Sequence, residues 1–114
     1  MKKNIILNYK GKKINLELKQ VGFFGEAIGL MFCRREKSKA LLFSFKKPID
    51  FTIHSFFVFF EFIAIWLDEK GKVLEIKKIK PWRVGIKSKL KFTKVIEIPI
   101  NGRYKNIVRL LDED

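Results

Sequence analysis

The sequence is poor in the side chains that most often carry chemistry. It has one cysteine, Cys33, and one histidine, His54. A lone thiol closes no internal disulfide, and a lone imidazole builds no histidine cluster, so disulfide scaffolds and Cys/His metal centres are excluded. No metal and no cofactor is expected. The start of the chain lacks a signal peptide, because Ile5, Ile6 and Leu7 after Met1-Lys2-Lys3 give way to polar Asn8. That predicts a cytoplasmic protein. One glutamine beside twenty lysines resembles thermophile usage.

A clean membrane span is also missing. The most apolar tract, Phe51–Leu67 (FTIHSFFVFFEFIAIWL), reaches seventeen residues only by including Thr52, His54, Ser55 and Glu61. A spanning helix needs about 20 mostly apolar residues. An ionised carboxylate near its middle costs about 2.5–3.5 kcal/mol on insertion scales. The expectation is therefore no membrane.

What the chain has is phenylalanine and positive charge. Hydrophobic residues make up 47% of 114, with twelve phenylalanines, which excludes disorder and suits one domain, residues 1–114, with a real core. Phe, Ile, Val and Trp in the central tract favour strand over helix. Both alternating sets are apolar: Phe56, Val58, Phe60 and Phe62 on one side, Phe57, Phe59, Ile63 and Ile65 on the other. That is a strand covered on both faces, with a break near Glu61 because seventeen residues are too many for one strand. A second subunit is one way to cover one of those faces, so a homodimer is an open reading.

Elsewhere the pattern is of short strands. Asn4–Tyr9 and Lys12–Lys19 form a hairpin about Lys10-Gly11, with Ile14, Leu16 and Leu18 alternating against polar neighbours. Residues 22–30 suggest a two-turn helix, with Gly29 as a C-terminal cap. Ala40–Phe45 is a strand that Pro48 is expected to stop. Asp68-Glu69-Lys70-Gly71 is a turn, Lys72–Ile79 a returning strand, and Pro81-Trp82-Arg83 an interruption. Leu90, Phe92, Ile96 and Ile98 are expected on one side of a last strand, with Lys87, Lys89 and Lys91 opposite; Pro99 and Asn101-Gly102 end it. Tyr104–Leu111 has helical spacing. The expected fold is mostly β with one or two short helices, a jelly-roll-like β-sandwich or a barrel.

Three ordered stretches resemble the bacterial and archaeal family called domain of unknown function 192. Gly29-Leu30-Met31-Phe32-Cys33-Arg34 is similar to its GLM-aromatic-x-Arg element. Ile53-His54-Ser55-Phe56-Phe57 through Leu67-Asp68 resembles IHTFFM, FPID and a following LD. Lys80-Pro81-Trp82-Arg83 and Val95-Ile96-Glu97-Ile98-Pro99 resemble KPWR and VLELP. The chain departs where Val58 replaces Met and where Glu61 and Ile63 replace Pro and Asp. The resemblance implies a small jelly-roll-like fold and no assigned activity.

Candidate chemistry is sparse. His54 as a catalytic base needs Ser55 or Cys33 and an orienting acid such as Glu61, yet Ser55 points to the opposite strand face from His54. The simpler reading is a hydrogen-bonded histidine within the sheet. Glu61, between five apolar residues and six, is the expected buried acid, with Arg34 or Arg83 as a candidate partner. Net charge is +13, and from Lys72 to Lys94 nine basic residues face one acid, Glu75, for +8 of that total. Within it Lys77, Lys78, Lys80, Trp82, Arg83, Lys87, Lys89 and Lys91 are candidates for binding nucleic acid or another polyanion: cations neutralise phosphates while an aromatic ring stacks on a base. The simpler readings are a solvated lysine face and a Trp82 that lids the core. The leading expectation is a non-enzymatic domain binding through this basic side. One alternative is an enzyme using Glu61 or Glu97 as acid or base in a pocket between sheets; another is an assembly protein.

Overall fold

The computed structural model describes residues 2–20, 34–49, 58–86 and 88–112. Among the described residues there are six strands: β1 Lys2–Tyr9, β2 Lys12–Gln20, β3 Leu41–Ile49, β4 Phe62–Leu67, β5 Val73–Ile79 and β6 Phe92–Pro99. They form one sheet in the order β1-β2-β3-β6-β4-β5. Neighbours are antiparallel except β2 and β3, which run parallel through Lys19↔Leu41 and Gln20↔Leu42. The edge strands β1 and β5 come within 8 Å of each other. The sheet is thus curled into a half-barrel, the barrel-like form of the mostly-β fold expected.

Local sequence explains each joint. In the β1–β2 hairpin Lys10 and Gly11 have φ of 50° and 78°. Two successive positive φ values make the turn whose twist matches that of antiparallel strands, and glycine adopts the second without steric cost. At the β4–β5 turn the Asp68 carboxylate accepts hydrogen bonds from the Lys70 and Lys72 amides, both 2.9 Å, and Gly71 takes a φ of 82°. This gives the Leu67-Asp68 pair a structural role: the apolar residue ends the strand and the acid folds the chain back.

The strand β4 carries the core on both faces. All six of its residues are buried. Ile63, Ile65 and Leu67 join Leu7, Ile14, Leu16, Leu18, Leu42, Ile96 and Ile98 in an inner layer. Phe62, Ala64 and Trp66 join Leu41, Phe43, Val58, Phe60, Ile79, Phe92 and Val95 in an outer, aromatic layer. β4 begins one residue after Glu61, and residues 51–57 of the expected long strand lie outside the described residues. Both faces of β4 are covered within one chain, so β4 needs no second subunit. Fully burying each large apolar side chain contributes about 1.5–3 kcal/mol.

The inner layer is closed by α1, Lys105–Asp112, whose Ile107, Val108, Leu110 and Leu111 pack on it. A 3-10 turn, Gly102–Tyr104, leads into this helix. Asn101 Oδ1 accepts from the Arg103 and Tyr104 amides (3.1 and 3.4 Å), and Asn101 Nδ2 donates to the Ser38 carbonyl (3.1 Å). The Ala40 amide donates to the Tyr104 hydroxyl at 2.6 Å. The C-terminal helix is therefore pinned to the segment entering β3.

Three expectations are corrected. Pro48 does not stop β3, which runs to Ile49; the ladder to β6 shifts register between Ser44 and Ile49, and a proline without an N–H is accommodated at such an irregularity. Phe92 lies in the outer layer with Val95, whereas Ile96 and Ile98 lie in the inner one. Leu90, expected beside Phe92, is exposed and precedes the strand. The expected helix over residues 22–30 lies outside the described residues. Among the described residues no helix is long and apolar enough to cross a membrane.

Candidate functional site

The order β6-β4-β5 has a consequence for the basic segment. β5 and β6 both pair antiparallel with β4 and so run in the same direction. The chain between them must return over β4. It does so across the aromatic layer: Ile86 packs on that layer, and the Lys89 amide donates to Glu75 Oε2 at 3.0 Å. Residues 80–86 and 88–91 thus form a stripe spanning the length of β4, about 20 Å at about 3.3 Å per residue.

At one end of this stripe stands Trp82. Lys80-Pro81-Trp82-Arg83 is a turn in which Trp82 has a φ of 63°. Proline second and positive φ third is the pattern of a type II turn, where glycine or asparagine is preferred. A bulky residue in the left-handed region costs about 1–2 kcal/mol. The indole is nonetheless 47% exposed rather than a lid on the core. It meets the ring of Phe59, itself 60% exposed, edge to face with centroids 5.7 Å apart and planes at 72°. Val84 and Leu90 are the other large apolar side chains exposed along the stripe.

The expected basic residues fall in different environments. Lys77, on β5, is half-buried on the outer face, 3.7 Å from Glu75 and 5.7 Å from the centre of the Trp66 ring. Lys78, its neighbour, points to the opposite face and is exposed. Lys80, Arg83, Lys89 and Lys91 are exposed along the stripe. Lys87, His54, Ser55 and Cys33 lie outside the described residues. The expectation that Lys87, Lys89 and Lys91 share a strand face is corrected: Lys89 and Lys91 precede β6, and no strand alternation orients them. Cations are not confined to the stripe, since Lys2, Lys3, Lys12, Lys13 and Lys19 are exposed on the hairpin and Arg103, Lys105 and Arg109 about the helix. Among the described residues, what distinguishes the stripe is exposed aromatic surface among its cations.

The acids do not converge. Glu61 is half-buried at the entrance to β4, where its carbonyl accepts from the Ile100 amide at 3.1 Å. The buried acid among the described residues is Glu97, 5% exposed, in β6. Glu97 sits opposite Leu41 and Ala64, both in the outer layer, so its carboxyl enters that layer. Burial pushes its pKa from 4.5 up to about 8. Lys77 lies one strand further, beyond Ala64 in the same row. Glu61 is three residues from Ala64 along β4, about 10 Å from the Glu97 row. Sequence reasoning favoured Glu61 because it interrupts an apolar run. Glu97 was visible only as an acid between Ile96 and Ile98, and its burial comes with its place between Leu41 and Ala64 in the outer layer. Among the described residues no group of three or more His, Cys, Asp or Glu side chains is placed to hold a metal.

Comparison with known proteins agrees with this architecture. Residues 5–107 match the DUF192 family, described as an uncharacterized ACR. A UPF0127 protein of Pyrococcus horikoshii is 31% identical over 64 residues, 56% of this chain and 56% of that protein, so this chain spans little more than half of that relative. A UPF0127 protein of Pyrococcus abyssi is 33% identical over 84 residues, 71% of this chain and 68% of that protein. A proposed transcription regulator from Sinorhizobium meliloti has a similar crystal structure, with TM-score 0.75, 18% identity, and 93% of this chain and 84% of that chain covered. A protein of unknown function from Novosphingobium aromaticivorans matches with TM-score 0.74, 17% identity, and 98% and 80% covered. At these identities the two structures speak to the fold alone. With the family pattern spanning nearly the whole sequence, this chain belongs to the DUF192 family.

Proposed function

We propose that this protein is a non-catalytic binding domain whose working surface is the stripe of residues 80–86 and 88–91 with Phe59, and that its ligand is a polyanion. The observation that carries this reading is Trp82, exposed in a backbone conformation that favours glycine, with Lys80 and Arg83 beside it. Backbone strain held at so exposed a residue supports a functional reading. Exposed cations supply attraction to phosphate or sulfate, and it weakens with salt through counterion release. The enzyme reading has less support, because among the described residues Glu61 and Glu97 lie in different places and do not act as a pair.

Binding of inorganic polyphosphate, measured across a salt series, tests this. A contact involving three or four cations gives a slope of log K against log salt of about −2 to −3. Reversing Lys80, Arg83 and Lys89 to glutamate abolishes binding, whereas reversing Lys3, Lys13 and Lys19 on the hairpin changes it little. Equal losses from the two triple variants would show that only total charge matters and would refute the proposal.

A further inference from the structure

Resting on that reading, we infer that the polyanion is single-stranded nucleic acid, held by an unstacked base against the Trp82–Phe59 pair. The stripe offers two kinds of contact in alternation: Lys80 and Arg83 flank Trp82, and Lys89 and Lys91 flank Leu90. A duplex could use only the cations, because its bases are stacked on one another and show no open face. A single strand exposes base faces between its phosphates and can use both contacts. The stripe's length of about 20 Å gives room for several nucleotides, and stacking asks little of base identity.

A lipid surface is the other partner that rewards exposed apolar groups near lysines. The geometry of Trp82 favours the base. Insertion into a headgroup layer requires depth, not a fixed ring orientation. Here the indole is set in direction by a left-handed turn and by the Phe59 ring at 72°. Fixing a ring's plane is what stacking uses, since it removes the entropy loss of orienting the platform during binding.

The chain carries its own reporter. It has two tryptophans, and Trp66 is fully buried, so quenching by a solution ligand reports on Trp82. Fluorescence is titrated with a short oligothymidylate, a duplex of equal length, inorganic polyphosphate, and vesicles of zwitterionic and anionic phospholipid in equal parts. The expected result is quenching by oligothymidylate and tighter binding of it than of duplex or polyphosphate. Trp82→Ala, which removes the reporter and is therefore followed by calorimetry, weakens oligothymidylate binding about tenfold or more, as loss of one stacked base predicts. Polyphosphate binding, followed by calorimetry, is unchanged in that variant, and Trp82→Phe restores most of the affinity. Circular dichroism confirms that both variants fold. If polyphosphate and both nucleic acids fail to bind, the polyanion reading itself falls. If all three bind equally and Trp82→Ala moves none of them, the polyanion reading stands and the stacking inference is overturned. Binding of vesicles without binding of oligothymidylate overturns it in favour of a membrane surface.

Discussion

Replacing Glu97 by glutamine should change how the stability of this protein depends on pH. The carboxyl lies in the aromatic layer between Leu41 and Ala64, and burial raises its pKa from 4.5 to about 8. The unfolded chain releases that proton near pH 4.5, whereas the folded chain keeps it to about pH 8. Between those values the folded state binds more protons than the unfolded state, so stability falls as pH rises. The contribution is fully present below about pH 4.5 and is lost as pH passes about 8. At about 1.36 kcal/mol per pH unit, the loss reaches about 3 kcal/mol by pH 7. The charged groups facing this row from the neighbouring strand are Lys77 and Glu75, which lie within 3.7 Å of each other.

The assay is urea unfolding of wild type and Glu97→Gln at several pH values and constant ionic strength. Glutamine keeps the shape and does not titrate. It adds its own desolvation cost, but as an offset independent of pH, so the slope is the informative quantity. Self-repulsion of a chain at +13 also varies with pH, and it cancels in the difference between the two proteins. Between about pH 5 and pH 8 the wild type should lose about 4 kcal/mol relative to the variant. By heat this corresponds to a gap in Tm that widens by about 10 °C or more. Parallel stability curves would refute the reasoning, because they would show the carboxyl already ionised in the folded protein.

Other predictions follow from the joints of the fold. Asn101→Ala removes the acceptor for two amides and the donor to Ser38, and should cost about 2–3 kcal/mol in urea unfolding. Gly11→Ala forces a side chain into a φ of 78° and should cost about 1 kcal/mol, although nothing lies within 4 Å of the added carbon. Trp82→Gly relieves about 1–2 kcal/mol of backbone strain and loses an aromatic pair of about 0.5–1.5 kcal/mol. Its stability should therefore stay within about 1 kcal/mol of wild type, and a loss of several would assign Trp82 to the core instead of to binding.

The parts of this fold that were legible in the sequence are those set by near neighbours. Ile14, Leu16 and Leu18 alternate with polar residues, and they line the inner layer of β2 as period two requires. Glu61 interrupts an apolar tract, and the strand begins one residue later. Lys10-Gly11 and Asp68–Gly71 are turns because glycine and aspartate make turns locally. The candidate site was less legible because its features are non-local. That β5 and β6 flank β4 is a matter of strand order, and it alone sends residues 80–86 and 88–91 across the aromatic layer. The burial of Glu97 between two neighbouring strands and the exposure of Leu90 before β6 are likewise set by the assembled sheet. Trp82 is a mixed case: Pro81 marks a turn, yet a tryptophan after proline reads as core until its φ and exposure are known.

Residues 80–86 and 88–91 are the proposed surface that meets the ligand. Amide shifts of the labelled protein, recorded as oligothymidylate is added, test this most directly. The predicted result is a contiguous set of changes at Phe59, Lys80, Trp82, Arg83, Val84, Lys89 and Lys91, with the β1–β2 hairpin and α1 still. Changes spread evenly over the lysines of the hairpin and the helix, or confined to them, would contradict it.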